Sequence, residues 1–216
     1  MLQLPAFIAF TGVDDPGLLD GMTLLSTRYP IEWGLLVDDA QTHLPLFPDA
    51  DARARLLARP GLRWAAHVCG EQARLIANHP VAATVDIAGV TRVQVNHGTT
   101  GSTPEQIGNT AWFGRRHGVR SMLQCSDGFP RDMRVDWLFD VSFGTGVAPA
   151  SWPRIPQDGP FCGYSGGIAP DNVATVLERI AAPEGTLYWI DMESGVRSGG
   201  RFDLDKCEAV CRAVYG

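Results

Sequence analysis

The residues best suited to chemistry crowd the C-terminal part of the chain. "TLYWIDMESGVRSGGRFDLDKC" runs from an apolar segment into Asp191 and Glu193, then through Ser194, Gly195, Ser198, Gly199 and Gly200 into an amphipathic helix. Upstream, "CGYSGGIAPDNV" sets Gly163, Gly166 and Gly167 ahead of a helix whose first turn holds Asp171. Glycines let backbone N–H groups approach a ligand closely, and a helix start adds partial positive charge. Two such loops side by side would cradle a phosphate; the plainer reading is that their glycines only turn the chain. Asp140 and Asp191 also follow apolar runs, among the polar residues at the run ends.

These residues sit where eight short apolar runs end. The runs are "PAFIAFT", "EWGLLV", "LRWAAHV", "TRVQVN", "VRSMLQC", "VDWLFDVSF", "PFCGYS" and "TLYWID". Six are followed by good helical patterns, such as the entry at Ser102 or Thr103 with Pro104 and Glu105, and "APDNVATVLERIAAP". The patterns after the fifth and sixth runs are poor: a single turn at most near 128–134, then the Pro-broken "GTGVAPASWPRIPQDG". Near-continuous apolar strands alternating with helices predict a parallel sheet covered by helices. Eight repeats in this length predict one (β/α)8 barrel domain over 1–216, with weak or missing helices after strands 5 and 6, ahead of an open doubly wound sheet. Chemistry in such a barrel lies at the C-terminal strand ends.

The chain has 216 residues, is 45% hydrophobic and 19% charged, and carries a net charge of −6. An acidic balance without a basic stripe argues against nucleic acid and against a polybasic membrane surface. No apolar run approaches the ~18 residues of a membrane span. Five cysteines at irregular spacing fit free thiols in a reducing cytoplasm, and the N-terminus lacks the basic region of a secretory signal.

Thr11, Cys69, Cys125 and Cys162 fall near the ends of strands 1, 3, 5 and 7. Alternate strands share a layer in a barrel, so thiols are expected to converge on the mouth, with His67 two residues before Cys69. A thiolate beside imidazole could abstract a proton; the competing reading is that small cysteines fill the core. His67, His97, Asp140 and Asp191 have side chains that suit zinc or manganese, but no dedicated ligand spacing. No metal is expected. Cys207 and Cys211, at i, i+4, read as the inner face of the last helix, and the tryptophans as packing.

The closing third resembles phosphoribosylanthranilate isomerase, a (β/α)8 enzyme of tryptophan biosynthesis. "CGYSGGIAPDNV" is similar to that family's Gly-Gly-Leu-x-Pro-x-Asn-Val loop, and "IDMESGV" to its Asp-x-x-Ser-Gly-Val-Glu. More weakly, "VQVNHG" resembles Val-Gln-Leu-His-Gly, "LFDVSFGTG" the strand carrying an Asp before Gly-Gly-Thr-Gly, and "FTGVDD" the Cys-Gly-Ile-Thr segment. The resemblance implies an Amadori-type aldose–ketose isomerisation of a phosphorylated sugar derivative, without cofactor or metal. It implies Asp140 as general acid, Gly166, Gly167, Ser194 and Gly195 as phosphate cradle, and Asp191 closing strand 8. Asp191, His97 and Glu193 join the binding set.

The departures lie in the chemistry. Thr11 stands where the family has its base Cys, Ala9 where a lysine is expected, and Pro45-Leu46-Phe47 where Pro-Arg-Tyr serves the anthranilate carboxylate. Glu193 would oppose a phosphate unless Arg197, four residues on, pairs with it. The expectation is an isomerase-like enzyme with an altered substrate, acting as a monomer or homodimer on a phosphorylated small molecule. Its catalytic candidates are Asp140, Thr11, Cys69 and Cys125, with a base sought among the thiols of Cys69, Cys125 and Cys162 because a threonine hydroxyl is no useful base. The alternatives are a non-catalytic barrel that binds such a ligand, and a metal-dependent lyase or hydrolase.

Overall fold

Segments rich in Val, Ile, Leu and aromatic residues form eight parallel strands: β1 (Phe7–Thr11), β2 (Ile31–Val37), β3 (Trp64–Val68), β4 (Arg92–Val95), β5 (Arg120–Cys125), β6 (Asp136–Phe139), β7 (Cys162–Tyr164) and β8 (Tyr188–Met192). The computed structural model describes residues 2–98, 101–142 and 144–216. Each strand pairs with the next, and β8 pairs back onto β1 with Ala9 opposite Asp191, so the barrel is closed.

Among the described residues, six α-helices cover it: α1 (Leu19–Arg28), α2 (Ala50–Leu57), α3 (Gly70–Asn78), α4 (Pro104–His117), α5 (Val173–Ile180) and α6 (Leu204–Tyr215). The α4 entry is a full capping box between Thr103 and Gln106, with Pro104 in the first turn. Cys207 and Cys211 face inward from α6 and are fully buried. Trp33, Trp64, Trp137 and Trp189 are among the largest buried side chains, in agreement with their reading as packing.

Among the described residues, no α-helix lies between β5 and β6 or between β6 and β7. Around 128–134 not even one helical turn forms: Arg134 forks onto the carboxylate of Asp132 two residues back and closes a tight loop instead. Aromatic side chains from the two loops take over the work of the missing helices. Phe129 packs edge-on against Phe139 and Tyr164, and Trp152 does the same from the next loop. Tyr164 Oη, donating to the Pro153 carbonyl at 2.6 Å, ties that loop to the barrel.

Strand parity decides what reaches the inside. At the N-terminal end the lumen is plugged by Phe7, Ala9, Met122, Leu138 and Trp189. Beside them Arg92 bonds Glu32 at 2.7 Å, lies 3.5 Å from Asp136, and stacks over Trp189. Arg63 and Arg120 close this ion network from outside. The lumen is therefore filled at one end and open at the other.

Candidate active site

The open end holds a cavity of about 450 Å³ at the C-terminal ends of the strands. Its floor and walls are the next inward positions along each strand: His67 and Cys69, Gln94 and Asn96, Gln124, Leu138 and Asp140, Ser165, Asp191 and Glu193. Leu36, Leu46 and Phe47 form an apolar side, and Ser142, Gly144–Gly146 and Gly166–Ile168 complete the rim.

At the floor three buried side chains make a chain of contacts. Thr11 Oγ1 donates to Asp191 Oδ1 at 2.7 Å and lies 3.3 Å from His67 Nε2. Having given its one proton to Asp191, Thr11 can only accept from His67, which selects the Nε2–H tautomer. A Cβ at Gly34, opposite Thr11 on β2, would lie 2.5 Å from Oγ1, so this glycine gives the hydroxyl its room. Burial, followed by the charge of Arg92, holds His67 neutral with a pKa lowered to about 3. Burial raises Asp191 to about 8 against the opposing Thr11 bond, with Glu193 and Asp140 adding like-charge repulsion. Glu193 is raised to about 7, again mainly by burial.

Asp140 faces the same cavity from β6. Its carboxylate accepts from the Ser142 amide and hydroxyl, both at 2.7 Å, and from Gln124 Nε2 at 3.2 Å. The group is aimed by three donors.

The loops after β6, β7 and β8 are interleaved. A Cβ on Gly195 would collide with the Ile168 carbonyl, and one on Gly167 would press on Ala148. Among the described residues, the amides of Gly166, Gly167 and Ser194 donate to no backbone or side-chain acceptor, although all three residues line the cavity. Gly195 lies behind them and permits the close approach. Gly199 and Gly200 have another job. Both have positive φ (56° and 79°) and form the two-residue turn of a small hairpin, β9 (Arg197–Ser198) with β10 (Arg201–Phe202). Of "SGVRSGG", only Ser194 reaches the cavity.

The pairing expected between Glu193 and Arg197 does not form. Arg197 Nη2 bonds Asp14 at 2.6 Å and Nη1 the Gly12 carbonyl at 2.8 Å, pinning the hairpin to the loop after β1. Glu193 is left facing the cavity.

The thiols do not converge. Cys69 lines the cavity and accepts from Asn96 Nδ2 at 3.3 Å, while burial pushes its pKa up to about 11. Cys125 and Cys162 belong to the core between barrel and helices. On β5 and β7 the inward positions are Gln124 and Ser165, so Cys125 and Cys162, of opposite parity along their strands, face away. Burial raises Cys125 to about 12. His97 is also outside the main cavity, 2.8 Å from Ser102 in a side crevice; its neighbours Asn96 and Gly98 face in. Among the described residues, no three His, Cys, Asp or Glu side chains gather as metal ligands. Gln124, Ser142 and Ser165 escaped the sequence reading, for lack of any motif beyond strand alternation.

A closed parallel barrel, plugged below and carrying a polar cavity at its C-terminal mouth, defines the class: a (β/α)8 barrel. Within that class the fold is that of phosphoribosylanthranilate isomerase. The chain superposes on the isomerase of Pyrococcus furiosus with a TM-score of 0.62 at 14% identity, covering 96% of this chain and 98% of that one. For the Thermococcus kodakaraensis enzyme the TM-score is 0.60 at 17% identity, over 97% and 99% of the two chains. For a monomer generated from the dimeric Thermotoga maritima enzyme it is 0.60 at 16%, over 96% and 97%. No protein-family model and no curated protein sequence matches the chain.

Proposed function

We propose that this barrel is an isomerase-like enzyme that moves a proton on a phosphorylated, sugar-like small molecule, with Asp140 and Asp191 as the pair of working carboxyls. The observation that carries the reading is Asp191. It is buried in the floor of the cavity, held by Thr11 and raised to about 8, so it keeps a proton near neutral pH that it can give up. Asp140, aimed by three donors, is positioned as an acceptor. One carboxyl takes the proton from the carbon beside a carbonyl or imine while the other delivers one to its heteroatom. That division exchanges the roles expected from the resemblance, which makes Asp140 the acid.

Thr11 then acts as a positioning residue. Its hydroxyl is committed to Asp191 and is no base. Cys69 and Cys125 are also poor bases, because burial keeps both as thiols. The free amides of Gly166, Gly167 and Ser194 support an anion site for the phosphate. His97 has no place in this reading. Five free cysteines support a reducing, cytoplasmic setting, and no helix among the described residues is long and apolar enough to cross a membrane. A monomer or homodimer suffices, because all the residues invoked come from one chain.

The second reading is a barrel that binds such a ligand without turning it over, and one observation favours it: the base position holds a threonine whose proton is already used. Calorimetry with ribose 5-phosphate and inorganic phosphate tests the anion site shared by both readings. Binding that disappears in Gly167→Val supports it; no heat from either compound at millimolar concentration removes it.

A further inference from the structure

We infer that His67 is a further catalytic residue: its Nδ1 hands the proton to the ligand's heteroatom, and Thr11 couples it to Asp191 so that the three side chains work as one relay. This rests on the reading of the cavity as a proton-transfer site and adds the group through which the proton leaves.

The first observation is a run of contacts across the barrel floor. Asp191 lies on β8, Thr11 at the end of β1 and His67 on β3, with spacings of 2.7 Å and 3.3 Å along the run. Strand β2 stands between Thr11 and His67, and its residue opposite Thr11 is Gly34. A Cβ there would lie 2.5 Å from Thr11 Oγ1. The absent side chain opens the passage from β1 to β3.

The second observation is the far nitrogen of the ring. Among the described residues, the only hydrogen bond of the imidazole is that between Nε2 and Thr11. Nδ1 has no partner, yet it is not one of the unpartnered polar atoms sealed from solvent. His67 lines the cavity, so Nδ1 keeps access to the space a ligand fills.

The bond pattern has two settings. With Asp191 ionised, Thr11 donates to Asp191 and accepts from Nε2–H, which leaves Nδ1 bare. With a proton on Asp191 Oδ1 the pattern reverses: Asp191 donates to Thr11, Thr11 donates to Nε2, and the ring proton sits on Nδ1 facing the ligand. Passing from the second setting to the first breaks bonds to hydrogen at Asp191 Oδ1, Thr11 Oγ1 and His67 Nδ1. New ones form at Thr11 Oγ1, His67 Nε2 and the ligand heteroatom. Asp191 gains one negative charge and the ligand one proton. Thr11 exchanges one proton for another and is never an alkoxide, and His67 changes only its tautomer. Burial and the charge of Arg92 hold the ring far from imidazolium, and this route never requires one.

Ring-nitrogen NMR on the isotope-labelled, ligand-free protein reads the His67 tautomer, with His67→Gln assigning the signals. Asp191 is faced by Glu193, by Asp140 from β6 and by Glu32 from β2, and His67 by Arg92 from β4. Asp191→Asn separates its titration from theirs. The expected result is Nδ1–H below the Asp191 midpoint of about 8 and Nε2–H above it. A single tautomer is expected at every pH in Asp191→Asn and in Thr11→Val. Deuterium uptake from D₂O by ribose 5-phosphate should fall on the order of a hundredfold in Thr11→Val and His67→Gln and return in Thr11→Ser. One tautomer on both sides of the midpoint in the wild-type protein overturns the relay and leaves the carboxyl pair standing. Switching with uptake that neither Thr11→Val nor His67→Gln reduces overturns the catalytic role of His67. Switching with no uptake at all by the wild-type protein removes that role together with the proton-transfer reading.

Discussion

The Thr11 hydroxyl donates to the Asp191 carboxylate at 2.7 Å, joining the ends of the first and last strands across the floor of the barrel. The two residues are neighbours because β8 closes onto β1 with Asp191 opposite Ala9, two residues before Thr11. A threonine at this position has become the partner of an acid. It tunes Asp191, because an accepted bond favours the ionised carboxylate and opposes the effect of burial.

Removing that bond should raise Asp191 further. Thr11→Val keeps the shape and loses the donor; a carbon-detected NMR titration of Asp191 should move its midpoint upward by about one unit. An unchanged midpoint would show that Thr11 does not set it.

Asp191 also makes stability depend on pH. Its folded pKa, about 8, lies above the ordinary aspartate value near 4. Between these values the folded protein holds a proton that the unfolded chain has released. Its contribution to stability is therefore full at low pH and is lost as pH rises through that interval. Asp191→Asn removes this penalty and should gain on the order of a few kcal/mol at pH 8.5, with little change at pH 4. Urea unfolding at the two pH values measures the difference.

Gly195→Ala should loosen the joined β7 and β8 loops. The new Cβ would overlap the Ile168 carbonyl, so the loops must part. A loss of about 1–3 kcal/mol is expected, with weaker phosphate binding. Gly200→Ala, in the hairpin turn, should cost stability through its positive φ and leave phosphate binding alone.

The buried ion network at the closed end is structural. Arg92→Met leaves Glu32 and Asp136 without their inner cation and should cost about 3–5 kcal/mol. Thermal unfolding reads this directly.

Periodicity made the barrel legible from the sequence, down to the missing helices after β5 and β6, because apolar runs and helix starts are local signals. The site was legible only by segment. Asp140, Asp191, Cys69 and Glu193 reach the cavity as expected, but a one-residue error of parity sends a strand residue to the opposite face. That is why Gln124 replaces Cys125 in the cavity and Asn96 replaces His97. Pairing between distant segments was illegible altogether. Arg197 is four residues from Glu193 in the chain, yet its carboxylate partner is Asp14, brought to it by barrel closure.

Solvent deuterium exchange tests the proposed chemistry most directly. The protein is incubated in D₂O with ribose 5-phosphate or glucosamine 6-phosphate, and the carbon beside the carbonyl is followed by NMR. Deuterium should enter with the wild-type protein and drop by at least about a hundredfold in Asp140→Asn and Asp191→Asn. Exchange that persists in both variants, or its absence from a compound shown to bind, would contradict a proton-transfer role for this pair.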